Sequence, residues 1–120
     1  MEGLVDEMIR GTRFLEAAAV GRGDGVDEMI SMYHVSISVS SILATIEQGP
    51  GSMSSEAGSA RRALERFDGK VHPEIMGRLD GAISRERGLL ESGGGGSYDR
   101  LRALMSAREF AGQYGRNLQD

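Results

Sequence analysis

Cysteine and tryptophan are both absent from this 120-residue chain. Without cysteine there is no disulfide and no thiolate metal site, and the chain is indifferent to redox compartment. Aromatic residues make up 5% of the chain. A core must therefore be built from Leu, Ile, Val, Ala and the seven methionines, a set that suits packed helices and adaptable interfaces. Positive charge is short as well: 14 Lys and Arg against 18 Asp and Glu leave a net charge of −4. That is opposite to the basic footprint of a general nucleic-acid binder. No apolar run approaches the ~20 residues that span a bilayer, and no signal-peptide core opens the chain. The expectation is a cytoplasmic chain with no membrane span, the size of one domain with a single core.

Glycine is what the chain holds in excess, with 18 residues. Four of them form the run Ser92-Gly93-Gly94-Gly95-Gly96-Ser97, which reads as the flexible linker of an engineered fusion rather than a natural glycine-rich loop. Such tracts behave as coil and hold two elements at high effective concentration without fixing their orientation. A second stretch, Gly49-Pro50-Gly51-Ser52, precedes Met53 and reads as a linker scar or, equally, as a natural loop. The division that follows is a helical hairpin over residues 1–48, a possible scar at 49–52 and a second helical hairpin at 53–92. A linker at 93–97 and an amphipathic helix at 98–120 complete it.

Hydrophobic spacing predicts five helical segments. Residues 4–20 place Leu4, Met8, Leu15 and Ala18 or Ala19 on one face, with Gly21 as the stop. Gly11 within this segment costs ~1 kcal/mol against alanine unless a neighbouring helix packs there. The turn 21–25 follows, with Asp24 as the expected N-cap of the next helix. Residues 26–48 carry a conflict. Val35-Ser36-Ile37-Ser38-Val39-Ser40 alternates with the period of a half-buried strand, yet Met32, Val35, Val39, Ile42, Leu43 and Ile46 fall on one helical stripe. Over twenty residues without a breaker favour the helix, with the serines on its flanking face, where small residues allow close approach of a partner helix. The third segment, 55–67, offers Ala60, Ala63, Leu64 and Phe67, and Asp68-Gly69 reads as its end. His72-Pro73-Glu74 reads as the start of the fourth, because proline suits a first helical turn and Glu74 suits the N-terminal dipole. Its stripe is Ile75, Met76, Leu79, Ala82, Ile83 and Leu90. The last segment is amphipathic through Leu101, Leu104, Met105, Ala111 and Leu118, with Phe110 and Tyr114 close by.

Chemistry-bearing patterns are sparse. Neither His34 nor His72 has a carboxylate or second histidine at helical ligand spacing, so no metal site is expected. His34 reads as a half-exposed helix residue and His72 as a capping or turn residue. No Gly-x-Ser-x-Gly elbow supports a serine nucleophile, and no glycine-rich loop follows a strand. Arg22-Gly23-Asp24 reads as a turn. Arg61, Arg62, Arg66, Arg85 and Arg87, interleaved with Glu56, Glu65, Asp68, Asp80 and Glu86, read as a solvated, charge-laced face.

Residues 1–48 resemble the flagellar rod–ring junction proteins and the inner-rod proteins of type III secretion systems. The likeness rests on a short leading helix, the Gly23-Asp24 loop, and Asp27-Glu28-Met29-Ile30-Ser31-Met32 running into Val35-Ser36-Ile37-Ser38-Val39. It implies a Met-rich amphipathic helix that stacks in a rod. Gly11-Thr12-Arg13-Phe14-Leu15-Glu16-Ala17 is also similar to the first helix of flagellin-type export chaperones. Such proteins are small antiparallel bundles that hold a partner helix in a groove.

The expectation is an all-α antiparallel bundle of four to five helices, built from two hairpins, without catalytic site, cofactor or metal. Its role would be protein–protein interaction, as an adaptor or chaperone that binds a helix tethered to it or in trans. The alternative is a structural subunit that self-assembles into an oligomer. The partner-binding candidates are Leu101, Leu104, Met105, Phe110 and Tyr114 on the last segment, and Met29, Met32, Val35, Val39 and Ile42 on the second.

Overall fold

The serine-alternating stretch is helical. Residues Val26–Glu47 form one uninterrupted α-helix, because length and the absence of a breaker outweigh a six-residue alternation. The computed structural model describes residues 2–18, 25–48 and 55–119, and among these every regular element is a helix. The fold is all-α, as expected, with four helical runs. Helix α1 spans Glu2–Ala17 and α2 spans Val26–Glu47. Helix α3, Ser55–Arg66, passes through a π turn at Phe67–Val71 into α4, His72–Ser92, and α5 spans Tyr98–Gln119. The Arg22-Gly23-Asp24 turn, Ala19, the 49–52 stretch, Met53 and the Leu118 side chain lie outside the described residues. The expected Asp24 cap lies outside the described residues; the Gly25 carbonyl accepts the Met29 N–H at 3.1 Å at the start of α2.

By contact the chain divides into two compact units: Met1–Ala19 with Ser31–Val71, and Val20–Ile30 with His72–Asp120. In the first, α1 lies against α3, and both run the same way. Ile9 shares a cleft with the start of α3, and Arg66 at the end of α3 donates to the Leu15 and Glu16 carbonyls at 3.2 and 3.3 Å. That guanidinium satisfies the orphan carbonyls of the α1 C-terminus and complements its dipole. Helix α2 runs opposite to α3, with Tyr33 edge-on to Phe67 at 5.5 Å and Glu47 paired with Arg61 at the other end. Gly11 explains itself here. A Cβ at this position would overlap a Val39 methyl and come within 3.4 Å of Val35, so α1 and α2 cross where glycine permits. The buried seam of α2 follows Met29, Met32, Ser36, Val39, Leu43 and Ile46, the alternating three- and four-residue spacing of a coiled-coil face. Ser36 therefore sits in the core and not on a flanking face, and Val35 is only half-buried.

The expected break at 68–72 does not occur, and residues 53–92 do not make a hairpin. Asp68-Gly69 and Pro73 look like stop and start signals, but the π turn carries the helix through them. Proline in a helix interior lacks a donor, and its ring collides with the carbonyl four residues earlier. The π turn ends two residues before Pro73 and takes the Gly69 carbonyl out of α register. It also corrects the phase of the buried stripe along the helix. Ala63, Phe67, Val71, Ile75 and Leu79 are all buried at intervals of four. Four such steps in a plain α-helix drift by about 160°, and one π turn restores about 100° of that.

In the second unit α4 and α5 form a helical hairpin, and their connection is a built turn rather than a passive tether. Gly94 N–H donates to the Leu89 carbonyl at 2.8 Å and Gly93 N–H to the Leu90 carbonyl at 3.4 Å, with Gly93 at φ 71°. These are the two bonds and the left-handed residue of a Schellman cap. Gly95 turns again at φ 92°. A Cβ on Gly96 would lie 2.8 Å from Leu90 Cγ and 2.9 Å from Leu90 N, so the chain folds back against the last turn of α4. Ser97 then caps α5, its hydroxyl accepting the Arg100 N–H at 3.3 Å. Buried Glu86 anchors the turn: Oε1 accepts the Ser97 N–H at 2.6 Å, and Oε2 lies 3.4 Å from Arg100 Nε.

Candidate interaction face

The ten expected partner-binding residues divide by burial. Met29, Met32, Val39, Ile42 and Leu104 are buried within the chain itself, whereas Val35, Leu101, Phe110 and Tyr114 are half-buried. Met105 is 44% exposed, with its sulfur 3.9 Å from the Arg87 guanidinium. It does not join the packed face of α5, which Leu104, Ala107 and Ala111 form against α4. The reason is angular: 104, 107 and 111 keep one three–four stripe, and 105 lies about 100° from it. The expected apolar groove of α2 is thus largely core. His72 is a packing residue as well. It is buried in the first turn of α4, its ring 5.4 Å from that of Tyr114 and close enough to Gly115 that a Cβ there would stand 2.9 Å from Nε2. His34 is exposed on α2.

Four of the five arginines of the expected basic cluster have partners within the chain. Arg61 pairs with Glu47, Arg62 reaches the Ser59 hydroxyl at 3.3 Å, Arg66 caps α1, and Arg87 meets Met105. Two shallow clefts open on the surface. One, of about 280 Å³, lies between α1 and the start of α3 and is lined by Thr12, Arg13, Glu16 and Glu56 among others. Thr12 is buried there, and its hydroxyl has no hydrogen-bond partner. The other, of about 350 Å³, is lined by Gly25, Val26, Asp27, Glu28, Arg100 and Ala103. In the first cleft the Ser55 hydroxyl donates to the adjacent Glu56 carboxylate at 3.4 Å, an exposed pair of chain neighbours with no histidine lining the cleft. Among the described residues no three metal-ligating side chains converge.

Sequence reasoning left the serine side of α2 open to a partner helix but named none of its residues among the candidates. From Met29 to Ile46 the helix contains no Asp, Glu, Lys or Arg. Ser31, His34, Ile37, Ser40, Ser41, Ala44 and Thr45 in that run are exposed, Ile37 at 45%. The signal was present as a gap in charge, hidden because serine and threonine make the run look polar. The same gap corrects the membrane estimate: α2 is long and apolar enough to cross a bilayer by length and composition, although it also supplies the core of the first unit. The outward faces of the second unit are ordinary by comparison, with Asp80 bonded to Arg108 at 2.7 Å and Asp99 paired with Arg102. No protein-family model, curated protein or solved structure matches this chain.

Proposed function

We propose that this chain is a helical protein-interaction module whose docking surface is the outer face of α2. One observation carries the reading: seven residues of an uncharged 18-residue helical run are exposed in a chain that is 27% charged. Interface cores are depleted of charge, and small side chains let a second helix approach closely. The inner face of the same helix is packed and rigid, so the outer face is presented on a fixed scaffold. An assembly adaptor or helix-holding chaperone fits this arrangement, in line with the likeness of residues 1–48 to secretion and flagellar rod components. The reading assigns the chain no catalytic step and no cofactor.

A photo-crosslinking residue placed at Ile37, compared with one at Arg102 on α5, tests the reading in the protein's native cells. Discrete adducts are expected from position 37 and none from position 102. Equal or absent adducts at both positions overturn the interaction face. Stable flotation of the purified chain with phosphatidylcholine vesicles would do so too, making α2 a membrane-inserting helix.

A further inference from the structure

We infer that the occupant of this face is α2 of a second copy, paired antiparallel about a two-fold axis near the level of Val39. The inference rests on the interaction face proposed above and names its partner. His34, Ile37, Ser41 and Ala44 are all exposed and follow one another at three, four and three residues. They form a second seam on a helix whose inner seam already has that spacing. A helix with two seams has one for its own unit and one for a neighbour.

Size selects the direction and register. In an antiparallel pair, the register that sets Ile37 opposite Ser41 of the second copy also sets His34 opposite Ala44. Every layer then joins a larger side chain to a smaller one, and Ser38 and Ser40 flank the axis where the backbones come closest. A parallel pair would instead stack Ile37 on Ile37 and Ser41 on Ser41, alternating crowded and empty layers. Charge selects the same register. It places Glu47 opposite Ser31 of the second copy. Sliding the copies by half a heptad toward their N-termini would set Glu47, even with Arg61 beside it, against the two carboxylates of Asp27 and Glu28. A two-fold pairing of this kind is isologous and closes at two copies.

Area sets the strength. The uncharged run is about 27 Å long and one helix wide, so pairing covers roughly 400–500 Å² per copy, near half of a standard interface. The dimer is therefore weak, with a dissociation constant on the order of 10–500 µM.

Sedimentation equilibrium of the full chain from about 5 µM to about 1 mM tests this range. The expected result is a mass rising from one chain toward two and no further. Ile37→Glu should weaken association roughly tenfold or more, with its helical circular dichroism unchanged. Because the chain has no cysteine, Ile37→Cys and Ser41→Cys chains can be mixed and oxidised. Preferential disulfides between the two variants support the antiparallel register, and preferential self-disulfides overturn it. A chain that stays monomeric at the top concentration overturns the inference, as does a mass that grows past two. Neither result touches the interaction face if position 37 still yields an adduct of another mass in cells.

Discussion

Helices α2 and α5 are both 22 residues long, and they end folding in different conditions. Helix α5 packs Leu104, Ala107 and Ala111 against α4 and turns Asp99, Arg102 and Glu109 to solvent. It also leaves Tyr98 and Met105 exposed, but these stand beside charge, Tyr98 next to Asp99 and Met105 against the Arg87 guanidinium. Helix α2 packs a complete seam as well, yet its opposite side carries serine, alanine, threonine and an isoleucine instead of charge. Surface charge costs a helix almost nothing in stability, so its absence along 29–46 has no folding rationale. On the proposed reading, the difference separates a helix completed by its own fold from one with a face in reserve.

The largest way to break that comparison is to break α2. Ser38→Pro removes a backbone donor and clashes with the preceding turn, which costs about 3 kcal/mol or more. Urea unfolding should show the loss together with reduced helical ellipticity. Pro73 shows the escape route α2 lacks: a π turn immediately upstream. Next comes α5. Leu104 is fully buried, and Leu104→Ala should destabilise by about 2–5 kcal/mol, read from the denaturation midpoint. A value near zero would mean that α5 is an appendage after all.

The turn between α4 and α5 sharpens the same point at smaller scale. Gly96→Ala puts a Cβ within 2.9 Å of the Leu90 backbone nitrogen, which cannot rotate away. A loss of about 1–3 kcal/mol is expected. Gly93→Ala, forced to φ 71°, should cost about 1–2 kcal/mol. Thermal melts of both variants check this, and a passive tether would tolerate either substitution without change.

The helices, their class and most of their buried faces were legible in the sequence because hydrophobic spacing is local. The connections were not. Four consecutive glycines encode freedom, and the same freedom permits coil or a turn with two left-handed residues. What decides is Leu90, Glu86 and the end of α4 waiting beneath Gly96, and that is visible only after the helices pair. The π turn was misread for a related reason. Asp68-Gly69 and Pro73 are genuine breakers, but the uniform spacing of four from Ala63 to Leu79 was a competing signal that phase mattered more. Gly11 was a conditional expectation, and Val39 supplied the condition. The serine side of α2 reads from sequence as one that a partner helix can approach, but its residues do not stand out as candidates, because pattern reading looks for apolar stripes and this side is marked by missing charge.

The smallest effect is the most informative about the two helices. If the outer side of α2 is a docking face and not part of the monomer's packing, Ile37→Lys should leave stability unchanged within about 0.5 kcal/mol. Ile37 is 45% exposed, lysine can lay its aliphatic stem along the same surface, and its helix propensity is slightly better than that of isoleucine. The measurement belongs at about 1 µM, below the expected association range, where only the single chain unfolds. On the packed side of the same helix, Val39→Lys buries a charge beside Gly11 and should cost several kcal/mol, on the order of the penalty for an unpaired interior ion. A flat result at 37 beside a large loss at 39 separates the two faces of α2 energetically. Equal losses at both positions would make the outer face part of the core, and the contrast with α5 would vanish.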